Sequence, residues 1–296
     1  MTRGALLALA AAVILVTPAH GESLRILYTN DLHLRFERLP ALERLIATER
    51  AQGDPVLLVD AGDAWQDFRV PLYAVWGAEP MVTWMNRVGY DAMAVGNHDL
   101  YWSWPRVAQL VGKAEFPVLS ANLASIDGEE PPFVASVRVK VGGLNVLIIG
   151  LTTAEDLPYP DFPWLRPTDP ERAVQREIDA ASGSGRPDLV LCVGHVGLDE
   201  AARIAAAVPT IDVFVSGHSH EATPVPRVVG KTLIVESGAF GRNLGRLVLD
   251  VAEGSVRLVE HSLLATDEAV TDVGHGLIRL AQTVGILALL LAILLF

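Results

Sequence analysis

The chain has 296 residues, of which 51% are hydrophobic and 20% are charged, and its formal net charge at pH 7 is -12. This composition excludes a disordered or low-complexity chain and leaves enough apolar residues for a large buried core. The negative charge argues against a surface that binds nucleic-acid polymers, because such a surface needs clustered positive charge. The single cysteine, Cys192, lies in the apolar run 189–193, so an internal disulfide is excluded and a thiol nucleophile is disfavoured.

The N-terminal segment 1–21 has the pattern of a secretory signal peptide. Arg3 precedes an apolar stretch at 5–16, and small residues follow at 17–21, where a signal peptidase could cut. An uncleaved anchor is the alternative, although so short a run is marginal for spanning a hydrocarbon core about 30 Å thick. In either case we expect the rest of the chain to be exported, at the periplasmic or extracellular face.

Between the two ends, short apolar runs rich in β-branched residues alternate with helical patterns, which is typical of an α/β fold. Strands are predicted at 24–28, 56–59, 92–95, 118–120, 145–149, 189–193 and 213–215. Apolar residues at helical spacing predict helices around 39–46, 82–88 and 107–111. The order of elements therefore predicts strands joined by helical crossovers.

Two glycine turns separate runs of alternating apolar residues. They are Gly142-Gly143 and Glu253-Gly254, and they predict antiparallel hairpins at 137–149 and 247–259. The sheet arrangement is therefore expected to be mixed. Because the proline-rich stretches have the composition of surface loops and do not introduce a second globular unit, one domain at 22–265 is the simplest interpretation.

The C-terminal segment 276–296 is predicted to be a hydrophobic membrane anchor, joined to the domain by a linker at 266–275. After Arg279 the run 280–296 is nearly all apolar, and at about 1.5 Å per residue a helix of this length crosses or almost crosses a bilayer. The alternative is an amphipathic helix docked on the domain, which the apolar character of every face of 286–296 disfavours. The tail thus predicts a membrane as one partner of the chain.

Five clusters of metal-type ligands follow directly after predicted strands. They are Asp31-Leu32-His33, Asp60-Ala61-Gly62-Asp63, Gly96-Asn97-His98-Asp99, Gly194-His195 and Gly217-His218-Ser219-His220. In open α/β sheets the loops beyond the carboxyl ends of the strands converge on one crevice, so residues far apart in sequence meet there. Taken singly each cluster is weak evidence, but acids and histidines gathered in one crevice without cations would leave unpaired polar groups and like charges. The joint pattern therefore predicts a metal centre.

The mixture of carboxylate, imidazole and amide oxygen suits divalent ions such as Mn, Zn, Fe or Co better than ions that seek thiolates. The number of ligands predicts two divalent metal ions. Two ions about 3.5–4 Å apart lower the pKa of a shared water from 15.7 towards about 7 and clamp an in-line displacement at phosphorus. The expected nucleophile is therefore a hydroxide that bridges the two metals.

The order of these motifs resembles the calcineurin-like metallophosphoesterases, and within them the catalytic, N-terminal domain of the 5'-nucleotidase family. The stretches 85–92, 116–123, 149–153 and 238–246 are similar to the same family, so the resemblance covers nearly the whole middle of the chain. It implies a four-layer α/β/β/α sandwich, in which two mixed sheets lie between layers of helices and metals bind at the strand ends. It also implies an activity, the hydrolysis of phosphate monoesters or diesters.

The resemblance assigns roles to single residues. One ion is held by Asp31, His33 and His220, the other by Asn97, His195 and His218, and Asp63 bridges the two. His98 is implied to stabilise the transferring phosphoryl group or to protonate the leaving oxygen, and Asp99 to orient it. Asp60 falls outside the family spacing and is interpreted as a turn cap or a residue behind the ligands.

Two departures from the family pattern limit what the resemblance implies about the substrate and the site. The 5'-nucleotidases carry a C-terminal domain whose aromatic residues stack on the base, and too few residues follow 22–265 here to form one. Nucleotide specificity is therefore not predicted, and the expected substrate is a small phosphorylated molecule. The acid after His98 is Asp99 where the family more often has Glu. An aromatic rim is a further expectation, although core packing is favoured for most of its members: Trp65, Trp76, Tyr101, Trp102, Trp104 and Trp164.

Two other functions remain open. The stretch 62–66 is similar to the thiosulfohydrolases of sulfur oxidation, which would make the chain a sulfur-ester hydrolase. Those enzymes lack an intact Asn-His-Asp motif, so its presence at 97–99 favours phosphorus. The other alternative is a non-catalytic, membrane-tethered metal-binding protein, which the complete ligand set disfavours.

Overall fold

The computed structural model describes residues 21–67, 77–126, 130–157, 164–183, 185–252 and 254–266. The predicted membrane anchor lies outside these residues, as do residues 1–20 of the predicted signal peptide and all but the first residue of the linker. None of the helices within the described ranges has both the length and the apolar character that crossing a bilayer requires.

Strands and helices alternate through most of the described chain. The strands are β1 (Glu22–Thr29), β2 (Val56–Asp60), β3 (Ala92–Ala94), β4 (Val118–Leu119), β5 (Leu123–Ser125), β6 (Ser136–Val141), β7 (Leu144–Thr152), β8 (Leu165–Pro167), β9 (Leu189–His195), β10 (Val213–Gly217), β11 (Arg227–Val229), β12 (Thr232–Val235), β13 (Asn243–Ala252) and β14 (Ser255–Ala265). The helices are α1 (Leu39–Arg50), α2 (Glu79–Val88), α3 (Trp104–Lys113), α4 (Pro170–Ser182) and α5 (Leu198–Ala207).

Two six-stranded mixed sheets form the centre of the fold. The first has the order β14-β13-β1-β2-β3-β4. Strands β1 to β4 are parallel to one another, β13 is antiparallel to β1, and β14 is antiparallel to β13. The second has the order β11-β12-β10-β9-β7-β6, with parallel strands in the middle and an antiparallel strand at each edge. A small third sheet pairs β5 with β8.

The apolar residues separate these elements into four layers. Alternate residues of β1, Leu24 and Ile26, pack with Ile148 of β7 and Leu191 of β9, so the two sheets face each other. The opposite face of the first sheet packs on α1, α2 and α3, and the outer face of the second packs on α4 and α5. The α/β/β/α sandwich implied by the resemblance is confirmed.

The predicted strands and hairpins correspond to observed elements, with two differences. The strand predicted at 145–149 extends to Thr152, which pairs with His195, and the strand predicted at 189–193 extends to His195 itself. The pairs β5/β8 and β11/β12 were not predicted, because strands of three or four residues are too short to show a period.

Gly245 of β13 shows how closely the first sheet is packed. It pairs with Tyr28 in the sheet register, and a Cβ at this position would lie 2.1 Å from Cζ of Tyr28. The Tyr28 hydroxyl is in turn hydrogen-bonded to Nε2 of His261 on β14, at 2.8 Å. Glycine is therefore required here because the tyrosine ring occupies the space of a side chain.

Replacing Gly245 with alanine is expected to lower the free energy of unfolding by about 1–3 kcal/mol, because the Tyr28 ring must move. The urea midpoint measures this change. Gly112→Ala in α3 is the matched control, since a Cβ there meets nothing within 4 Å. That variant is expected to gain up to about 1 kcal/mol from helix propensity. Equal midpoints for the two variants would contradict the packing described here.

Candidate functional site

The five predicted clusters lie at one edge of the sandwich. Parallel strands carry each of them to this edge: the clusters of Asp31, Asp63 and Asn97 follow β1, β2 and β3, while His195 ends β9 and His218 follows β10. Three groups of possible metal ligands result, each with atoms within 4.8 Å of one another. They are Asp31, His33 and His220; His33, Asp63 and His98; and Asp31, Asp63 and His195.

The first group surrounds Oδ1 of the buried Asp31. His220 Nε2 lies 3.1 Å and His33 Nε2 lies 3.7 Å from this oxygen. The two Nε2 atoms are themselves 3.1 Å apart. All three side chains that the resemblance assigned to one ion therefore meet around a single point.

His195, which the resemblance assigned to the other ion, contacts Oδ2 of Asp63. This oxygen lies 3.1 Å from Nε2 of His195 and 3.8 Å from Nε2 of His33, so Asp63 faces both groups. Nδ1 of His218 is 3.3 Å from Nε2 of His195. Asn97 is buried, and its Oδ1 accepts no hydrogen bond from the described part of the chain.

Backbone carbonyl groups orient the two buried imidazoles. Nδ1 of His33 is 2.9 Å from the carbonyl oxygen of Gln66, and Nδ1 of His195 is 2.9 Å from that of Ala61. Since a carbonyl oxygen only accepts, each Nδ1 carries the proton and donates. In the neutral ring Nε2 then presents its lone pair to the cluster, which is the arrangement of metal-binding histidines.

The backbone at the predicted ligands is unusual. Five of them adopt positive φ: Asp31 (52°), His33 (47°), Asp63 (59°), His218 (87°) and His220 (60°). Such conformations cost of order 1–3 kcal/mol each and persist only where surrounding contacts impose them. Here the amides of Asp31 and His33 donate to the carbonyl groups of Gly62 and Asp63, each at 2.9 Å, which ties the first two loops together.

Buried charge is balanced inside the cluster. Burial by itself would lower the pKa of His195, but Asp63 and Asp31 raise it to about 10. Burial would likewise raise the pKa of Asp31, but His195, His220 and His33 hold it well below its usual value. Cations that bind here must displace these imidazolium protons, so metal affinity is expected to rise with pH.

The donors fit divalent cations. They comprise carboxylate oxygens, imidazole nitrogens with lone pairs directed inward and the amide oxygen of Asn97, which is buried without a donor in the described ranges. This set is the one expected for borderline divalent ions. A cation at the cluster would also relieve the approach of His33 Nε2 to His220 Nε2.

His98 lies beside the cluster. Its backbone N–H donates to Oδ1 of Asp63 at 2.8 Å, which places the half-buried ring against the ligands. The ring centroid is 4.9 Å from that of His33 and 4.9 Å from that of Tyr101, in edge-on contacts. The imidazole therefore stands between the predicted metal centre and the aromatic residues that follow it in sequence.

Asp99 holds the surrounding turns together. Its buried carboxylate accepts hydrogen bonds from the backbone amides of Asp63 and Gly96, each at 2.9 Å, and of Trp65 at 2.8 Å. Burial first, and then the charge of Asp63, raises the pKa of Asp99 to about 7. Within the described residues, the Asp99 carboxylate forms no hydrogen bond with the His98 ring that would orient it. Asp99 therefore contributes by fixing the turn that presents Asp63.

Two buried residues that support the ligands were missed by the sequence analysis. Asn30 donates from Nδ2 to Asp31 Oδ2 at 2.7 Å and accepts from the Ser237 amide at 2.8 Å. Glu236 accepts from Ser219 Oγ at 2.6 Å, which fixes the turn between His218 and His220. Asn30 could have been found from its place directly before Asp31, whereas nothing near Glu236 in the sequence links it to Ser219.

Asp60 and the predicted aromatic rim lie around the cluster. Asp60 accepts from Thr29 Oγ1 and from the Gly62 amide, which agrees with its interpretation as a turn residue. Trp65 is fully buried, and Trp102, Trp104 and Trp164 pack at the edge of the core that contains it. Tyr101 contacts His98 instead, and Trp76 lies outside the described residues.

Replacing Asp99 with asparagine is expected to lower the free energy of unfolding by about 2–4 kcal/mol and to reduce bound metal, because an amide group would oppose one of the backbone N–H donors. Urea denaturation and metal content per chain measure these changes. Asp169→Asn at the N-cap of α4 is the control, since asparagine caps a helix as well as aspartate does. If Asp99→Asn lost activity with unchanged stability and metal content, an orienting role towards His98 would be favoured.

Comparison with known proteins agrees with this geometry. The chain matches the family of calcineurin-like phosphoesterases over residues 24–222. An uncharacterized metallophosphoesterase of Bacillus subtilis is 28% identical over 237 residues, covering 78% of this chain and 50% of that protein. A 5'-nucleotidase of Vibrio vulnificus is 29% identical over 284 residues, covering 81% of this chain and 51% of that protein. The chain thus spans about half the length of these relatives.

A solved structure shares the fold. A 5'-nucleotidase precursor from Thermus thermophilus superposes with a TM-score of 0.73 at 22% sequence identity, covering 90% of this chain and 60% of that chain. At this identity the likeness concerns the fold alone. The family match, however, covers well over half of the sequence and includes all five ligand clusters. The chain belongs to the calcineurin-like phosphoesterase family.

Proposed function

We propose that this chain hydrolyses phosphate esters with the help of two divalent ions, outside the cytoplasm. The observation that carries the proposal is the convergence of two buried carboxylates with imidazoles from other strands. Asp31 Oδ1 lies 3.1 Å from His220 Nε2, and Asp63 Oδ2 lies 3.1 Å from His195 Nε2. A chain that needed these groups only for stability would gain more from apolar residues in their place, because burying charge is costly.

The geometry and the family pattern together support two ligand groups. Asp31, His33 and His220 would hold one ion, Asn97, His195 and His218 would hold the other, and Asp63 would contribute to both. Mn, Zn, Fe and Co all suit such a set. Ions of this kind supply neutralisation of the phosphoryl charge and acidify water towards a pKa of about 7. The chain itself contributes the rigid placement of the ligands.

His98 is the residue placed to serve the leaving group. Its ring lies against His33, and one of its ring nitrogens lies within 4.8 Å of an Asp63 carboxylate oxygen, so it would adjoin a phosphate group held at the cluster. In its protonated form this imidazole would donate a proton to the leaving oxygen. A positioned acid of this kind contributes roughly 10²–10⁴ in rate.

The expected substrate is a small phosphorylated molecule. Several relatives are named 5'-nucleotidases, so nucleotides are the first compounds to assay, although the chain spans only about half the length of the relative from Vibrio vulnificus. Export to the periplasmic or extracellular face is supported by the signal-type pattern at 1–21, and membrane attachment by the apolar tail at 276–296.

Removal of bound metal with a chelator is expected to abolish hydrolysis of p-nitrophenyl phosphate, and addition of Mn, Zn, Fe or Co to restore it. Steady-state turnover before and after reconstitution measures this. Full turnover in chelated, metal-free protein would contradict the proposal. So would a higher rate on a sulfur-linked ester than on any phosphate ester, which would favour the alternative chemistry.

A matched pair of histidine variants controls for unfolding in this test. His195→Asn removes a proposed ligand and is expected to lower the metal content of the purified chain. His261→Asn changes a histidine of β14 whose ring contacts Tyr28, outside the cluster, and is expected to leave the metal content as it is. Equal metal loss in both variants would show that the effect is structural.

Replacing His98 with asparagine is expected to slow hydrolysis of alkyl phosphates by roughly 10²–10⁴, and that of p-nitrophenyl phosphate far less, because nitrophenolate leaves without protonation. The ratio of kcat values on the two substrates is the measurement. Equal losses on both substrates would rule out a role as general acid and would leave phosphoryl binding as the function of this ring.

A further inference from the structure

Phe240 forms a wall of the cluster. Its ring centroid lies 5.5 Å from that of His33 and 5.2 Å from that of His220. The residue has a φ of 65°, which is a genuine outlier for so bulky a side chain, and its backbone N–H donates to the Asp31 carbonyl oxygen at 2.7 Å. The backbone of Phe240 is thus strained, and its ring lies directly beside two of the proposed ligands.

Two arginines stack on this ring. The guanidinium carbon of Arg35 lies 4.8 Å from the ring centroid, and that of Arg242 lies 5.4 Å from it. The charge of Arg35 is balanced by Asp67, whose Oδ2 is 2.9 Å away. Arg242 is exposed, and it forms neither an ion pair nor a side-chain hydrogen bond with any residue in the described ranges.

Stacking restrains a guanidinium without using its donors. The cation lies against the aromatic face, while its five N–H groups point outward in its own plane, where they match the geometry of a carboxylate or phosphate. Arg242 is therefore a preorganised anion-binding group, and it contacts the same aromatic ring that His33 and His220 contact. In a chain with a net charge of -12, such an uncompensated cation has no evident role in solubility.

We propose that Arg242 binds a second anionic group of the substrate, carried on the leaving alcohol, so that the chain selects phosphate esters bearing a further carboxylate or phosphate. This inference rests on the proposed hydrolysis of phosphate esters at the cluster. The phosphoryl group under attack would be held at the cluster itself, and Arg242 forms no side-chain hydrogen bond or ion pair with the described residues of the cluster, so its guanidinium is left for a second anion. Near His218 the exposed side chain is the acid Glu155, whose Oε2 lies 3.4 Å from Nε2, so a second anion is repelled there.

Phenyl phosphate and 4-carboxyphenyl phosphate test this selectivity, because the second ester carries an additional carboxylate. The variants at Arg242 separate the binding of this charge from its effect on the leaving group. The reconstituted wild-type chain is expected to show about tenfold higher kcat/KM on the carboxylated ester, mainly through KM, as a charge-assisted hydrogen bond implies. Arg242→Ala is expected to lose this preference while keeping its kcat on phenyl phosphate. Arg242→Lys is expected to keep part of it, since the charge remains without the planar donors.

Arg257→Ala is the matched control. Arg257 is an exposed arginine of β14 that pairs with Asp250, and its removal is expected to leave the preference intact. A second readout avoids turnover: calorimetric binding of benzylphosphonate and of its 4-carboxy derivative should show the same tenfold difference, and Arg242→Ala should abolish it.

The outcomes distinguish a failure of the proposed hydrolysis from a failure of the proposed role of Arg242. If the wild-type chain hydrolyses neither ester with any metal, the proposed function fails, and this inference fails with it. If it hydrolyses both but Arg242→Ala keeps the wild-type preference, or loses activity equally on both esters, only the role of Arg242 is overturned. Absence of any preference in the wild-type chain would overturn it as well.

Discussion

The neutralisation of Asp31 and Asp63 is the constraint on which the rest of the site depends. Both carboxylates are buried at the edge where two sheets meet, and an isolated buried carboxylate would be far too costly to keep ionised. Imidazoles from three separate segments of the chain compensate this charge, and the same imidazoles are the candidate ligands for cations. The positions of His33, His195 and His220 are thus consequences of where these two acids lie.

That arrangement needs a rigid backbone, which hydrogen bonds from outside the ligand set provide. Asn30 links Asp31 to Ser237, more than two hundred residues later, and so joins the two sheets at their common edge. Asp99 joins the turn of Asp63 to that of Gly96 in the same way. Because each of these residues satisfies several buried donors at once, it ties the loops to one another and holds the candidate ligands in place.

The strands and most of the candidate ligands could be predicted from the sequence, whereas the residues that support them could not. The run 189–193 of β9 is apolar throughout because helices or a second sheet cover both faces of the strand, so it was readily predicted. The ligands could be found because each follows such a strand directly. Glu236 and Arg242 could not be found this way, since their importance comes from contacts with Ser219 and Phe240 that only the folded chain creates.

Backbone strain occurs both at candidate ligands and at Phe240. A positive φ at a candidate ligand such as His33 or Asp63 turns its side chain towards the centre of the cluster, where binding of a cation would offset the strain. Phe240 carries the same strain but has no ligand atom, so its conformation must serve something else. The direction of this ring determines its contacts with His33 and His220 and its contact with the guanidinium of Arg242. A leucine at this position would fill the space without holding a guanidinium, so the choice of an aromatic residue under strain is explained by the cation that it positions.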